Sequence, residues 1–345
     1  MDYAVLGRTD LKVSKVALGT MTWGEQNSVL EAFAQIDLAL DHGVNFIDVA
    51  EMYPVPTRAD TQGETERILG QWFAQSSRRH EVVLATKVTG RSERMSFLRN
   101  GPRLNAKHIE QAVNGSLQRL QTDHIDLYQI HWPERPTNFF GQLGYQHQDD
   151  DTSVSIEETL LACESLLRSG KVRHIGVSNE TPWGVHEYLR ISEAGQGPRI
   201  VSIQNPYNLL NRTFEVGLAE MAIREQVGLL AYSPLAFGML SGKYAGSQKP
   251  SAARLSLFPQ FTRYSSALAQ TVTQHYVDLA RQVDLEPAHL ALAFINQQPF
   301  VTSNIIGATN LTQLSVNLSS VEVTLDADVL SRIEKIHLTQ PNPCP

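Results

Sequence analysis

The sequence predicts an α/β protein: a single closed (β/α)8 barrel with an N-terminal β-hairpin and long loops at the C-terminal face. Short apolar runs bounded by turn residues recur eight times along the 345 residues, and a segment of helical periodicity follows nearly all of them. Such alternation is typical of a parallel sheet. Eight units favour a closed barrel over an open sheet, and no Gly-x-Gly-x-x-Gly follows the first strand. We therefore expect one domain spanning residues 1–345.

The first half of the chain supplies a hairpin and four barrel strands. Tyr3–Val13 is predicted to form the hairpin, with its turn at Gly7–Asp10. Barrel strands are predicted at Val16–Leu18, Phe46–Ile47, Val82–Lys87 and Ile125–Ile130. The helices between them are predicted at Ser28–Asp41, at Glu64–Phe73, and from an N-cap at Asn105 to Leu120.

The second half continues the same alternation. A capping box at Ser155 and Glu158 predicts a helix that ends at Arg168. Strands are predicted at Val172–Val177, Ile200–Ile203, Leu229–Ala231 and Asn304–Ile306, with helices at Trp183–Ile191 and Phe214–Glu225. Long loops are uncommon unless they have a function, and two leave strand ends here, Pro133–Ser153 and Ala236–Ala267. Both should overhang one face, and the tail Pro341–Pro345 is expected to fray.

Composition excludes several classes of protein. A net charge of −7 gives no basic surface for nucleic acid. No apolar run reaches the ~18 residues of a membrane span, and Met1–Val5 lacks the pattern of a secretory signal. The two cysteines, Cys163 and Cys344, indicate neither a disulfide framework nor a zinc site, and Cys163 lies in a helical pattern typical of a buried thiol. We expect a cytoplasmic protein without a metal; an oligomer is possible but not indicated.

Polar residues end most of the predicted strands. They are Asp48, Lys87, His131, Asn179 and Gln204, and Tyr53 follows Asp48 on the loop beyond its strand. Taken singly, Asp48 can be a cap, Lys87 a salt bridge at the barrel rim and His131 a structural histidine. Because the carboxyl ends of barrel strands meet at one mouth, we expect the five strand ends to converge on a site.

The residue types at this mouth suit proton transfer. A tyrosine has an unperturbed pKa near ~10, and an adjacent ammonium group stabilises the phenolate and lowers that pKa. A carboxylate beside the ammonium holds it in place, and an imidazole can hydrogen-bond a substrate oxygen. Asp48, Tyr53, Lys87 and His131 therefore predict an acid/base site for a carbonyl oxygen that becomes an alcohol.

The chain resembles the aldo-keto reductases over nearly its whole length. The matching motifs fall on successive strand ends: Leu18–Met21, Asp48 with Tyr53, Thr86–Lys87, His131–Trp132, Ile175–Asn179, Gln204–Tyr207, Tyr232–Leu235, and Gly307–Thr309 with Gln313 and Asn317. Gly242–Tyr244 and the long loop after the seventh strand are similar to the bacterial and potassium-channel-β-like branch of that family.

The resemblance implies an NADP(H)-dependent carbonyl reductase on a TIM barrel, acting on a small-molecule substrate. It makes Tyr53 the proton donor and Lys87 the group that lowers its pKa. Asp48 would pair with Lys87, and His131 would orient the carbonyl.

The resemblance also implies a cofactor site. Ser178, Asn179 and Gln204 would hold the nicotinamide carboxamide, with Tyr232 stacked on the ring. Lys243 and Arg254 would contact the phosphates and Asn317 the adenine. The full implied set is Gly19, Thr20, Met21, Gln26, Asp48, Ser178, Asn179, Gln204, Tyr232, Ser233, Pro234, Leu235, Phe237, Lys243, Arg254, Gly307, Thr309, Gln313 and Asn317. Many relatives have a basic residue at the position of Gln313 and an acid at that of Val316.

A substrate pocket is expected beside His131. Phe139, Phe140 and Tyr145, on the first half of the Pro133–Ser153 loop (Pro133–Tyr145), would form an apolar wall with Trp132, and Trp23 would face them. Two other functions are compatible with the barrel. A nucleotide-sensing regulatory subunit would keep the cofactor site with slow catalysis. A metal-dependent hydrolase would need a His-x-His at a strand end, which the sequence lacks.

Overall fold

Eight parallel strands close into a barrel in the computed structural model, which describes residues 1–149 and 152–345. Strand order around the barrel follows chain order, and the last strand pairs with the first. The strands are β3 Val16–Gly19, β4 Phe46–Asp48, β5 Val83–Val88, β6 Ile125–Ile130, β7 Val172–Ser178, β8 Ile200–Pro206, β9 Gly228–Tyr232 and β10 Val301–Ile306. An antiparallel hairpin, β1 Tyr3–Val5 and β2 Lys12–Ser14, precedes them. The predicted fold class is confirmed.

Helices follow the strands and cover the outside of the barrel. They are α1 Val29–Asp41, α2 Glu64–Ser76, α3 Ala106–Leu120, α4 Ile156–Arg168, α5 Pro182–Glu193, α6 Leu218–Arg224, α7 Arg254–Leu257, α8 Ala267–Gln282, α9 Pro287–Asn296, α10 Leu311–Ser319 and α11 Ala327–Thr339. Side-chain caps fix several starts: Ser28 and Glu31 form a full capping box, and Asn105 accepts from His108 N. At the box predicted for Ser155, its side chain accepts from Glu158 N.

The predicted helix Phe214–Glu225 is wrong in its continuity. A 3₁₀ turn at Thr213–Val216 precedes α6, and Gly217 between them has an extended φ of −152°. A side-chain carbon at Gly217 would lie 3.1 Å from Cγ of Pro182, so the break lets this segment approach the start of α5 closely.

Side chains inside the barrel form an apolar layer and then a polar one. Hairpin residues Leu6, Leu11 and Val13 pack with the inward-facing residues of the strands, which include Phe46, Ala85 and Leu127. Alternate residues of a strand face the same side, so the next inward positions are Asp48, Lys87 and Gln129. The hairpin therefore closes the amino end of the barrel, and the polar layer lies at its carboxyl end.

The C-terminal tail does not fray as predicted. Cys344 is buried and its N–H donates to Leu210 O at 3.2 Å, while Arg212 N donates to Asn342 Oδ1 at 2.7 Å. These contacts fasten the tail to the turn after β8, where it lines the barrel mouth through Pro343 and Pro345.

Both cysteines are free and buried, as predicted for Cys163. Burial raises the pKa of each thiol to about 12. In residues 1–149 and 152–345, no helix has both the length and the apolar character needed to cross a bilayer. Asp150 and Asp151, in the predicted Pro133–Ser153 loop, lie outside the described residues.

Candidate active site

A cavity of about 1410 Å³ opens at the carboxyl ends of the barrel strands. Three of the four predicted catalytic residues line it, and the fourth, Lys87, lies fully buried behind them. Of the predicted cofactor residues, those that line the cavity are Gly19, Thr20, Met21, Asp48, Ser178, Asn179, Gln204, Tyr232, Ser233, Pro234, Leu235, Phe237, Lys243, Arg254, Gly307, Thr309, Gln313 and Asn317. The strand ends thus converge as the sequence predicts.

Asp48 is the centre of a buried polar network. Lys87 Nζ donates to Asp48 Oδ2 at 2.6 Å and to Val49 O at 2.8 Å. The other carboxylate oxygen, Oδ1, accepts from Gln204 Nε2 at 2.8 Å and Gln129 Nε2 at 3.1 Å. Both oxygens are therefore satisfied, and the ion pair is held in one geometry.

Tyr53 lies beside this pair on the loop after β4. Lys87 Nζ is 5.0 Å from the centroid of the Tyr53 ring, and the Tyr53 and His131 rings meet edge to face with centroids 5.9 Å apart. Backbone hydrogen bonds from Tyr53 N to Ala50 O and from Gly63 N to Tyr53 O hold the loop. The phenol and the imidazole thus face the same part of the cavity.

The pKa of Tyr53 is raised well above 10.0 by burial, with Asp48 acting in the same direction and Arg254 against it. Lys87, the residue expected to lower this pKa, does not offset the effect of burial. Its ammonium lies 2.6 Å from Asp48, whose negative charge opposes the effect of Lys87 on the phenol. Burial also lowers the pKa of Lys87.

His131 is a neutral imidazole at neutral pH. Burial and the charge of Lys87 hold the pKa of His131 well below 6.5. Its Nδ1 has no hydrogen-bond partner among the described residues. Buried polar atoms are usually paired, so this enclosed and unpaired nitrogen is an exception.

A second polar unit adjoins His131. Tyr232 Oη donates to Asn179 Oδ1 at 2.6 Å, and Asn179 Nδ2 donates to His131 O at 2.9 Å. Ser178 Oγ donates to Gln204 O at 2.8 Å. The residues predicted to hold a nicotinamide carboxamide therefore form one hydrogen-bonded group next to the imidazole.

The loop after β9 has an unusual backbone. Ser233, Ala236 and Phe237 have φ values of 54°, 48° and 56°, in the left-handed region that non-glycine residues rarely adopt. Asn208 Nδ2 and Ala236 N both donate to Ser233 O, at 3.0 and 2.9 Å. The surrounding hydrogen bonds thus fix a strained conformation at the cavity wall.

Two cations lie further along the same loop. Lys243 and Arg254 have no carboxylate within 4.0 Å in the described part of the chain, and both line the cavity. Burial and the charge of Arg254 lower the pKa of Lys243. Two half-buried cations without an acid are the donor set that a phosphate group would match.

Two predicted site residues lie elsewhere. Trp23 is fully buried away from the cavity, where its Nε1 donates to Gln35 Oε1 at 3.0 Å, so its assignment to the substrate pocket is wrong. A tight turn, with Trp23 N donating to Thr20 O, directs the side chain toward α1 instead. Gln26 lies in the same turned segment and does not line the cavity, so its assignment to the cofactor site is also wrong.

Three of the four residues predicted for the aromatic wall lie at the cavity. Trp132, Phe139 and Phe140 line the cavity. Centroid distances are 5.0 Å from His131 to Trp132, 5.5 Å from Trp132 to Phe140 and 5.1 Å from Phe140 to Phe139. The assignment of Tyr145 to the wall is wrong, because its side chain is exposed and its hydroxyl contacts His147.

Sequence reasoning missed Gln129 and Arg263. Gln129 lies near the end of β6 and precedes His131 by two positions, so strand alternation indicates that both point to the same side of the barrel. Arg263 lines the cavity from the loop before α8, and no periodicity in that loop indicates its direction. Within the described residues, no three His, Cys, Asp or Glu side chains form a group able to hold a metal ion.

Comparison with known proteins gives full-length matches. A family model described as the aldo/keto reductase family matches residues 15–338. The chain is 51% identical to Protein tas of Escherichia coli, with 100% of both chains covered. It is 36% identical to the uncharacterized oxidoreductase YrpG of Bacillus subtilis over 97% of this chain and 96% of that one. It is 30% identical to a probable voltage-gated potassium channel subunit beta of Arabidopsis thaliana over 99% and 98%.

Proposed function

Because the chain belongs to the aldo/keto reductase family and is therefore an oxidoreductase, we propose that it reduces aldehydes or ketones to alcohols with NADPH as the hydride donor. One observation carries the proposal: Tyr53 and His131 face one part of the cavity beside the buried Lys87–Asp48 pair. A phenol and a neutral imidazole are two hydrogen-bond donors for a single carbonyl oxygen.

NADPH, when bound, supplies a hydride to the carbonyl carbon. The oxygen gains negative charge as the C=O double bond becomes a single bond, and the neutral imidazole of His131 donates a hydrogen bond to it. Tyr53 transfers its phenolic proton to that oxygen, which completes the alcohol. The resulting phenolate is stabilised by Lys87, whose ammonium lies 5.0 Å from the ring centroid. Asp48 keeps Lys87 in position.

The residues present fit a phosphorylated dinucleotide. Lys243 and Arg254 would bind the 2′-phosphate, and Ser178, Asn179 and Gln204 would hold the nicotinamide carboxamide. The oxygen Oε1 of Gln313 is engaged by Thr309, which leaves the amide nitrogen of Gln313 as the donor toward a phosphate. Asn317 is tied to Gly307 O through its Nδ2 at 3.1 Å, so its Oδ1 remains to accept from adenine.

The test follows NADPH oxidation at the nicotinamide absorbance with a graded series of aliphatic and aromatic aldehydes. We expect protein-dependent oxidation with several of them and one alcohol formed per NADPH consumed. The competing function is a regulatory subunit, suggested by the full-length similarity to a potassium channel subunit beta. Tight NADPH binding without turnover of any aldehyde would favour that function and reject the reductase.

Cofactor preference gives a first prediction. We expect the dissociation constant for NADPH to be at least about tenfold lower than that for NADH, because an added phosphate gains charge-assisted hydrogen bonds from Lys243 and Arg254. Replacing both residues with glutamine should remove most of the difference. Fluorescence titration with each cofactor measures it, and Lys249→Gln, an exposed lysine of the same loop, is the matched control. Equal constants in the unmodified protein would contradict the assignment.

The pH dependence gives a second prediction. Tyr53 acts in its protonated form, and its raised pKa preserves that form to above pH 10.0. His131 acts in its neutral form, which its lowered pKa preserves to below pH 6.5. The single-turnover rate of reduction should therefore show no break from these groups between pH 6.5 and 10.0. A rate that falls tenfold per pH unit within that range would show that bound cofactor or substrate reverses one of the shifts.

A further inference from the structure

Some arginines of this protein form an ion pair with a carboxylate and others do not. Most arginines have a carboxylate partner, as Arg99 does with Glu51 and Arg135 with Glu180. In the described residues, three arginines that line the cavity, Arg94, Arg254 and Arg263, have no carboxylate within 4.0 Å. The proposed cofactor site accounts for Arg254, and nothing in the proposed reaction uses the other two.

Arg263 is a half-buried cation among aromatic rings. Its guanidinium carbon lies 5.8 Å from the ring centroid of Phe140, 5.9 Å from that of Phe237 and 6.0 Å from that of Tyr264. The hydroxyls of Tyr232 and Tyr264 lie beside it and raise the pKa of Arg263 against the effect of burial. Rings and hydroxyls orient a guanidinium, but they leave its positive charge without an anion.

This cation lies at the far end of the aromatic wall. The wall runs from Tyr53 and His131 through Trp132 to Phe140, and Arg263 stacks on Phe140. On the loop after β5, Arg94 is exposed at the rim, and the adjacent Met95 packs with Trp132. An apolar surface thus separates the groups that face a carbonyl from two arginines that face the same cavity.

We propose that the substrate is a carbonyl compound with an apolar body and an acid group remote from the carbonyl, and that Arg263 binds this acid group with Arg94 at the rim. The inference rests on the proposed reductase function and names the substrate class of that site. A planar guanidinium pairs with a carboxylate through two parallel hydrogen bonds, so one well-placed arginine selects an acid over a neutral analogue. The rival anion is the cofactor diphosphate, because Phe237 contacts both Arg254 and Arg263.

The experiment compares 4-carboxybenzaldehyde with its neutral methyl ester, methyl 4-formylbenzoate. We expect the unmodified protein to have the higher kcat/KM for the acid. In Arg263→Gln, the ratio of kcat/KM for the acid to kcat/KM for the ester should fall by about 10- to 100-fold, the range for one lost hydrogen bond to a charged group. The change should appear in KM. Arg263→Lys should restore part of the ratio. Arg168→Gln removes an exposed arginine of α4 and is the matched control, with no change in the ratio.

Binding without turnover provides the second readout. Calorimetric titration of 4-(hydroxymethyl)benzoate into protein saturated with NADP⁺ should give an affinity that Arg263→Gln lowers by the same factor. This measurement tests the binding of the acid group even if no aldehyde is turned over. A lack of turnover would reject the reductase function but not the acid-binding role of Arg263. An unchanged acid affinity in Arg263→Gln would overturn the inference. A weaker NADPH affinity with an unchanged acid-to-ester ratio would also overturn it and assign Arg263 to the diphosphate.

Discussion

Replacing Tyr53 with phenylalanine should lower kcat for aldehyde reduction by about 10²- to 10⁴-fold, the range that a general acid contributes. The change removes only the hydroxyl, so the ring keeps its edge-to-face contact with His131. The dissociation constant for NADPH should therefore match that of the unmodified protein. Single-turnover absorbance measurements give the rate of the chemical step, and fluorescence titration gives the affinity.

Tyr145→Phe is the control for this variant. Tyr145 is 57% exposed and its hydroxyl contacts His147 rather than the site, so its loss should leave kcat unchanged. If Tyr53→Phe reduced aldehydes within a few-fold of the unmodified protein, the proton would have to come from another donor. His131 is then the next candidate, since it faces the same part of the cavity.

Replacing Lys87 with methionine should lower the free energy of unfolding by about 3–5 kcal/mol, because it leaves the Asp48 carboxylate buried without its counter-ion. Asp48 Oδ2 would lose its 2.6 Å hydrogen bond, and only Oδ1 would keep donors, from Gln129 and Gln204. Reductase activity should fall with it, since Lys87 also stabilises the phenolate. Urea denaturation followed by circular dichroism measures the stability.

The double variant Lys87→Met, Asp48→Asn separates charge from packing. It removes both members of the buried ion pair, so it should recover most of the stability lost in the single variant. Activity should not return, because neither the ammonium nor its partner is present. A single variant as stable as the unmodified protein would mean that water or protonation of Asp48 relieves the buried charge.

Sequence patterns were sufficient to predict most of the barrel and the position of the strand-end residues. Strand ends must meet in a closed parallel barrel, so Asp48, His131 and Gln204 could be placed at one mouth from their positions alone. Caps at Ser28 and Asn105 likewise depend on neighbours within three residues. These features are readable because the interactions that set them are local or follow from the topology.

The sequence-based predictions fail where a contact with a residue distant in the sequence determines the position of a side chain or segment. Trp23 turns toward α1 because Gln35 accepts from its indole, and the sequence around Trp23 does not reveal that partner. Cys344 is held by a hydrogen bond to Leu210, a residue that is distant from it in the sequence. Arg263 lies among the rings of its neighbour Tyr264 and of Phe140 and Phe237, which are distant from it in the sequence. Such placements depend on packing that no short pattern encodes.

The left-handed residues after β9 carry a consequence for evolution. Ala236, at φ 48°, occupies a conformation that glycine adopts without strain, so a glycine there would relieve a local cost of roughly 1 kcal/mol. A glycine would also let this stretch sample other shapes. Selection for a loop of fixed shape and selection for a more stable fold would thus oppose each other at this position.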